Sequence, residues 1–326
     1  MKYVRLLLIS AGLSVVGILA FRFLLQLRVI DPCKILDQPA FVLCGRSSDG
    51  ILTISLVRDG IEAWRYPLLD IPSMNADKIV CAFLLDDGNI LFSCTSFVAK
   101  VSPDKAILWR YECPEATKCL AAQPLSLEKV FLCETGLSQR AIIVSTISGQ
   151  IETECDIPEA VLAGCDPSTT RVQLLSDGAY LVSDRNAARI ARYDHQWHEV
   201  WRTESHDCGD AIQLGGGNVM VCDGGGGYVR EIGARGENVW KGALTGVPDL
   251  QSSVDMQECE GGKIRVCCLT NEVQKPESEI GYRLIEITPE RELHFKNKGR
   301  IRSSLRSVSC AYLLPSNVYK SIATVP

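Results

Sequence analysis

Two stretches of the chain repeat one another: RVQLLSDGAYLVSDRNAARIARYDHQWHEVWR (171–202) and DAIQLGGGNVMVCDGGGGYVREIGARGENVWK (210–241). Each reads as an apolar strand, a glycine turn, a second apolar strand, a third strand, and a turn followed by a fourth strand that carries Trp. The stretch KIVCAFLLDDGNILFSCTSFVAKVSPDKAILWRY (78–111) has the same order. Its Asp-Gly and Gly-Asn pairs supply the positive φ angles that tight hairpins need. The repeat unit is therefore predicted to be a four-stranded antiparallel sheet.

Three weaker units bring the total to six. The residues at the equivalent place in the fourth strand are Trp64, Trp109, Thr153, Trp201, Trp240 and Phe295. They recur about every 46 residues, a spacing typical of β-propeller blades. The first unit lacks its opening strand, and a matching strand, SVSCAYLLPSN (307–317), stands alone near the C-terminus. The sequence thus predicts an all-β, six-bladed β-propeller in which the C-terminal strand completes the first blade and removes an exposed sheet edge.

The N-terminal thirty residues differ from the rest. Lys2 and Arg5 precede an uncharged apolar run, LLLISAGLSVVGILAF (6–21), and the apolar character extends to Leu27 if Arg22 reaches the membrane surface. This length is about the 20 residues needed to span a bilayer. We expect residues 1–30 to form a signal-anchor or a signal peptide, 31–320 the propeller, and 321–326 a tail. A buried N-terminal helix is the alternative.

Composition limits the partners. The net charge is −5, and no basic run occurs outside the N-terminus, which argues against nucleic acid. The membrane is the partner expected for residues 6–27. The positive N-terminal end predicts that the propeller lies outside the cytoplasm, membrane-anchored, or secreted if the signal is cleaved.

The strings LLSDGAYLVSDRNAARIARYDHQWHEVWR and LGGGNVMVCDGGGGYVREIGARGENVW (within 174–240) resemble repeats of quinoprotein-like (PQQ-like) and arylsulfotransferase-like propellers, and to a lesser degree NHL repeats. The resemblance spans residues 41–315, with two or three blades matching well, and it implies architecture rather than activity. Arylsulfotransferases work through histidines in the central channel. Of the four histidines here, His195, His198 and His294 fall at the periphery, and His206 alone precedes an inner strand.

Several carboxylates are candidates for a site at a mouth of the channel. Asp210 and Asp255 are expected on inner strands close to His206. Glu134, Asp184 and Asp223 recur at the end of the second strand. Their structural alternative is to cap turns by accepting backbone amides. The glycine-rich CDGGGGYVRE (222–231) lies between two strands, so it lacks the helix N-terminus that phosphate loops use. The sequence predicts no metal site and no cofactor.

The chain has 15 cysteines. One position of the second strand is small in every unit: Cys44, Ser93, Cys133, Ser183, Cys222 and Cys267. Neighbouring sheets converge near the axis, and Cys can serve there as a small apolar side chain. Cys113 and Cys119 flank one connection between units, and Cys155 and Cys165 flank the next. Both are candidate disulfides if the propeller lies in an oxidising compartment.

Two functions follow as hypotheses. The first is a binding or scaffold module for a protein or glycan partner, held at the outer face of a membrane and without a catalytic site. The second is an enzyme of the quinoprotein or sulfotransferase type that uses the channel mouth near His206, Asp210 and Asp255. The inner strands discriminate between them, because a catalytic channel needs several converging ionisable groups.

Overall fold

The computed structural model describes residues 40–69, 78–205, 208–223, 227–244, 252–270, 279–303 and 305–314. All of them belong to the unit formed by residues 39–326. The predicted membrane segment at residues 6–27 and the tail at 321–326 lie outside the described residues. Within the described ranges, no helix is long and apolar enough to cross a membrane.

Four blades each come from one continuous stretch of chain, with the first strand innermost and the fourth outermost. Blade 2 contains β4 (Ile79–Leu84), β5 (Ile90–Cys94), β6 (Phe97–Val101) and β7 (Ile107–Glu112). Blade 3 contains β8 (Thr117–Pro124), β9 (Lys129–Gly136), β10 (Arg140–Ser145) and β11 (Ile151–Asp156). Blade 4 contains β12 (Thr170–Leu174), β13 (Tyr180–Asp184), β14 (Arg189–Tyr193) and β15 (Glu199–Glu204). Blade 5 contains β16 (Cys208–Gln213), β17 (Val219–Asp223), β18 (Tyr228–Ile232) and β19 (Asn238–Ala243).

The other two blades meet where the ring closes. Blade 6 contains β20 (Ser252–Cys259), β21 (Lys263–Thr270), β22 (Glu279–Ile287) and β23 (Leu293–Arg302). Blade 1 contains, from the centre outward, β24 (Leu305–Leu313), β1 (Phe41–Ser47), β2 (Leu52–Arg58) and β3 (Ile61–Pro67). The C-terminal strand β24 pairs antiparallel with β1, so the predicted six-bladed closure is confirmed. β23 also touches β3 in parallel, which joins both blades into one eight-stranded sheet.

Second strands form the core of each blade, and the small-residue position explains their packing. The six side chains at this position are all buried: Cys44, Ser93, Cys133, Ser183, Cys222 and Cys267. Large apolar side chains such as Phe92, Phe131, Leu181 and Met220 fill the space beside them. The alternation of small and large residues lets neighbouring sheets converge toward the axis without voids.

The fourth-strand Trp residues join each blade to the next. Trp64 is buried, and its Nε1 donates to the Pro103 carbonyl in the turn between β6 and β7, at 2.7 Å. Trp201 covers Gly236 in the equivalent turn of blade 5, where an added Cβ would lie 2.9 Å from the Cβ of Trp201. The recurrence of Trp along the sequence therefore reflects packing between blades. One element was not predicted, a short helix α1 (Glu159–Leu162) between blades 3 and 4.

Candidate functional site

The innermost strands of all six blades surround a cavity of about 240 Å³. Its wall is divided by chemistry. Among the described residues that line it, blades 4 to 6 contribute all of the charged ones, since Arg171, Asp210 and Asp255 lie there with Gln173, beside the apolar Val172, Ile212 and Met256. Most of the side chains from blades 1 to 3 are apolar or small: Val80, Phe83, Leu120, Ala121, Ala122 and Ala311. Gln123 and Tyr312 add polar atoms on that side. The cavity is slightly below the usual size of small-molecule pockets, about 300–1,000 Å³.

Asp210 is a carboxylate of the cavity wall that accepts hydrogen bonds from two backbone amides. Its Oδ1 accepts from the backbone N–H of Ala211 at 2.9 Å, and its Oδ2 accepts from that of Met256 at 3.0 Å. Burial raises the pKa of Asp210 to about 6, while the two backbone bonds and Arg171 act in the opposite direction. The bond to Met256 crosses from blade 5 to blade 6, so this carboxylate ties two inner strands together.

Glutamines of the inner strands make similar ties between other blades. Gln123 Nε2 donates to the Leu174 carbonyl at 3.2 Å, and its Oε1 accepts from the Leu174 N–H at 2.9 Å. Gln173 Nε2 donates to the Ala211 carbonyl at 2.7 Å. Gln213 Oε1 accepts from the backbone and hydroxyl of Ser176. The inner polar side chains of blades 3 to 5 thus hold neighbouring strands at fixed spacing.

A second, smaller pocket of about 140 Å³ adjoins the cavity at one end. It lies on the face of the propeller where the inner strands start. The turns between second and third strands are on the same face. Its wall includes Arg46 at the end of β1, Lys78 just before β4, Arg171 at the start of β12, and the turn residues Pro167 and Ser168. Arg171 lines both spaces. We call this space the mouth pocket.

The carboxylates predicted from the second strands occupy three different environments. Glu134 is fully buried and accepts from Arg140 Nε at 2.6 Å and from the Tyr111 hydroxyl at 2.8 Å. That contact joins blade 3 to the outer strand of blade 2. Burial and the hydrogen bond to the negatively charged Glu134 both raise the pKa of Tyr111. None of the second-strand carboxylates is among the residues that line the cavity or the mouth pocket.

Asp184 and Asp223 also lie deep in their blades. Asp184 Oδ1 accepts from the backbone amides of Asn186 at 3.0 Å and Ala187 at 3.2 Å, which is the geometry of a turn cap. Arg189 lies 3.9 Å from its other oxygen. Asp223 accepts from the hydroxyl of Ser205 at 3.3 Å. These contacts of Asp184 lie within blade 4, and that of Asp223 reaches the residue that follows β15 of blade 4.

The predicted cluster around His206 is described only in part. Asp210 and Asp255 both line the cavity, and His206 lies outside the described residues. The other histidines, His195, His198 and His294, are exposed, in the turn before β15 and on β23. Arg171, Gln123 and Gln173 were not predicted as site residues, although all three lie on inner strands that the repeat pattern had located.

The four candidates for disulfides, Cys113, Cys119, Cys155 and Cys165, are free thiols in the structure. Cys119 is buried, and the nearby thiol of Cys113 together with burial raises its pKa well above the usual value. Cys155 lies 3.5 Å from the Tyr180 hydroxyl, and Cys165 lies 3.5 Å from Asp184 Oδ2. In the cavity wall, Cys81 contacts Ser93 Oγ at 2.9 Å and the Ala122 carbonyl at 3.2 Å. No group of three or more metal-ligating side chains converges within the described ranges.

The face opposite the mouth pocket carries an exposed apolar patch on blade 3, formed by Leu125, Leu127 and Ile147. Leu125 and Leu127 lie in the turn between β8 and β9, and Ile147 lies in the turn between β10 and β11. The Thr146 N–H donates to the Glu128 carbonyl at 2.7 Å, which holds the two turns together. The exposed fraction is 39% for Leu125, 42% for Leu127 and 75% for Ile147.

Comparison with known proteins supports the fold. No family model matches the chain, and no curated protein matches it. Among solved structures, a protein of unknown function from Bacteroides caccae has TM-score 0.63 at 15% identity, covering 85% of this chain and 99% of that one. A catalytically inactive virginiamycin B lyase from Staphylococcus aureus with quinupristin has TM-score 0.48 at 14% identity, covering 79% of this chain and 85% of that one.

BamB from Moraxella catarrhalis has TM-score 0.40 at 13% identity, covering 80% of this chain and 76% of that one. At such identities, likeness shows architecture alone. The comparisons agree with a β-propeller, and they do not specifically support the arylsulfotransferase-like or NHL-type resemblance. They leave activity and partner to be argued from the residues.

Proposed function

We propose that the protein is a binding module that docks a protein partner on the apolar patch of blade 3, Leu125, Leu127 and Ile147. Exposed apolar groups that cluster on a rigid framework are typical of interaction sites. Two turns present these side chains, and a backbone hydrogen bond between the turns fixes their relative position. A preformed patch loses little conformational entropy on binding.

A protein partner fits this patch better than a glycan. Sugar rings stack on exposed aromatic faces, and the large apolar side chains exposed among the described residues are all Leu, Ile or Val. Leucine and isoleucine instead bury well against the apolar side chains of another protein. The patch is small, so it would form the centre of a larger contact rather than the whole of it.

The cavity supports binding over catalysis for a separate reason. Nucleophilic catalysis needs a nucleophile held within hydrogen-bonding reach of a base. The described cavity wall has Cys81, whose thiol contacts a hydroxyl and a carbonyl, and Asp210, whose oxygens accept backbone amides. This engagement of the inner polar groups in joining blades is the observation that carries the proposal of a module without catalysis.

The second hypothesis is an enzyme of the quinoprotein or sulfotransferase type that uses the channel. One observation favours it, because Arg171, Asp210 and Asp255 converge on a single cavity. A carboxylate with a pKa near 6 is suited to proton transfer at neutral pH. A cofactor or activated substrate would have to supply the missing reactive group.

Photo-crosslinking tests the patch. A crosslinking amino acid at position 127 or 147, in the native host, should capture the same protein from both positions. The same amino acid at Leu137 is the matched control, since Leu137 is 84% exposed and lies in the turn between β9 and β10, on the other face. Capture from position 137 at equal yield, or different proteins from 127 and 147, would reject the patch as a docking site.

The proposal includes a membrane anchor formed by residues 6–27, with the propeller outside the cytoplasm. The support is the apolar run with its positive flank. Fractionation tests it. The full chain should stay in the membrane pellet after alkaline carbonate extraction, and a chain that starts at residue 31 should appear in the supernatant. A full chain released by carbonate would contradict the anchor.

A further inference from the structure

The mouth pocket is positively charged on a protein whose net charge is −5. Its three cationic side chains, Arg46, Lys78 and Arg171, come from blades 1, 2 and 4. They are far apart in sequence, so their convergence is a product of the closed ring rather than of a local basic run. A concave site lined by one sign of charge concentrates its own field and attracts the opposite charge.

Arg46 and Lys78 keep their charge available to a ligand. Arg46 Nη1 donates to the Gly50 carbonyl at 2.8 Å, and neither residue forms an ion pair with a described carboxylate. Asp166, whose charge interacts with that of Lys78, accepts from the Ser168 N–H at 2.8 Å and from the Ser168 hydroxyl. These bonds lower the pKa of Asp166, and Lys78 and Lys118 add to the effect.

We propose that the mouth pocket binds the oxyanion group of a small ligand, whose uncharged or cationic body enters the central cavity. Guanidinium groups bind carboxylate and phosphate oxygens in a paired geometry, and a lysine adds a point charge. Arg171 stands at the junction of the two spaces. Beyond it, Asp210 and Asp255 line the cavity and oppose entry of a second negative group.

The division of the cavity wall further restricts the ligand. An aromatic or aliphatic body fits the apolar half contributed by blades 1 to 3, and a hydrogen-bond donor fits the carboxylates of blades 5 and 6. The volume of about 240 Å³ admits a body of one ring or a short chain. This site is independent of the protein-docking patch, which lies on the opposite face.

Thermal unfolding of the full chain with inorganic phosphate tests the oxyanion site. At constant ionic strength, phosphate should raise Tm in a saturable manner. Arg46→Gln and Lys78→Gln should each weaken the apparent Kd by about tenfold, the loss expected for one charged hydrogen bond. The matched controls are Arg235→Gln and Lys105→Gln, both exposed residues in turns between third and fourth strands. They should keep the wild-type Kd.

Equal effects of the mouth variants and the controls, or an equal rise in Tm with sodium chloride, would overturn the site. A second probe separates a free oxyanion from the head of an organic ligand. Phenyl phosphate should bind more tightly than inorganic phosphate, and Ile212→Phe, which fills the cavity, should remove only that gain. If both phosphates bind with the same Kd, the claim that the ligand body enters the cavity is wrong.

Discussion

Blades 2 to 5 and the closing pair, blades 6 and 1, solve the same packing problem with different connectivity. Each of the first four is built from one continuous stretch, with strands of 5–8 residues. Blade 1 takes its innermost strand from the opposite end of the chain. The strands of blades 6 and 1 are 7–10 residues long. Bringing distant segments together costs chain entropy. The ladder between β1 and β24 offsets that cost with its hydrogen bonds and with buried side chains such as Leu43 and Ala311.

This difference in connectivity indicates which strand pair the stability of the ring depends on most. Loss of a local hairpin weakens one blade, whereas loss of the β1–β24 ladder opens the whole ring and exposes two sheet edges. The ladder is also part of the cavity, because Ala311 and Tyr312 of β24 line it. Closure and the shape of the candidate ligand site therefore depend on the same strand.

Proline in β24 should have the largest effect. Tyr312 pairs with Val42, and because the Leu314 N–H donates to the Ala40 carbonyl, the alternation of the antiparallel ladder directs the Tyr312 N–H to β1. Tyr312→Pro therefore removes a hydrogen bond of the closing ladder. We expect a loss of about 4 kcal/mol in the free energy of unfolding, at the upper end for single substitutions. Chemical denaturation measures it. Thr153→Pro on the outermost strand of blade 3 is the control, and an equal loss there would show that closure has no special weight.

Removing Arg140 tests a junction between two regular blades. Arg140→Met leaves the buried carboxylate of Glu134 without its cation, and we expect a cost of about 3 kcal/mol. Arg192→Met is matched, because Arg192 pairs with the half-exposed Asp177 and should cost below about 1 kcal/mol. Urea unfolding compares the two variants. Similar costs would contradict the assignment of Glu134 to a buried tie between blades 2 and 3.

Asp210 connects a regular blade to the closing pair, and its effect depends on pH. Because its pKa rises to about 6 on folding, its protonated form favours the native state. This contribution is present below pH 4 and is lost as pH rises to 6. The wild type should lose roughly 2–3 kcal/mol over that interval relative to Asp210→Asn. A stability difference that is constant between pH 4 and 7 would show that burial does not raise the pKa of Asp210.

The smallest predicted effect compares two glycines within regular blades. Gly149 and Gly236 both have positive φ, +72° and +85°, but only Gly236 lies under a Trp. Alanine at either position carries the backbone strain of about 1 kcal/mol. Gly236→Ala should cost about 1 kcal/mol more, because the new Cβ meets Trp201. Equal changes in Tm would mean that Trp201 moves aside freely.

The sequence predicted the parts of the fold that repeat. Glycine turns, the small position of the second strand, and Trp64, Trp109 and Trp201 each recur because every blade meets the same packing constraints. The solitary strand at 307–317 predicted closure, and the structure places it at Leu305–Leu313. The helix Glu159–Leu162 was missed because it occurs once and is too short to show periodicity.

Fewer residues of the candidate site than of the fold could be predicted from the sequence. Asp210 and Asp255 were located from their strands, but Arg46, Lys78 and Arg171 converge only when the ring is closed. Nothing in the local pattern of RVQLL or FVLCGRS marks Arg171 or Arg46 as neighbours. The partners of Glu134 were hidden for the same reason, since Tyr111 belongs to the preceding blade.

Hydrogen exchange of the full chain, read by mass spectrometry, tests most directly the claim that the two ends of the chain close the ring. Amides of 305–313 should be as protected as those of 41–47, and the two segments should lose protection together as denaturant is raised, since they form one ladder. Exchange of 305–313 at the rate of an unprotected peptide, while 41–47 stays protected, would contradict the closure and the cavity that depends on it.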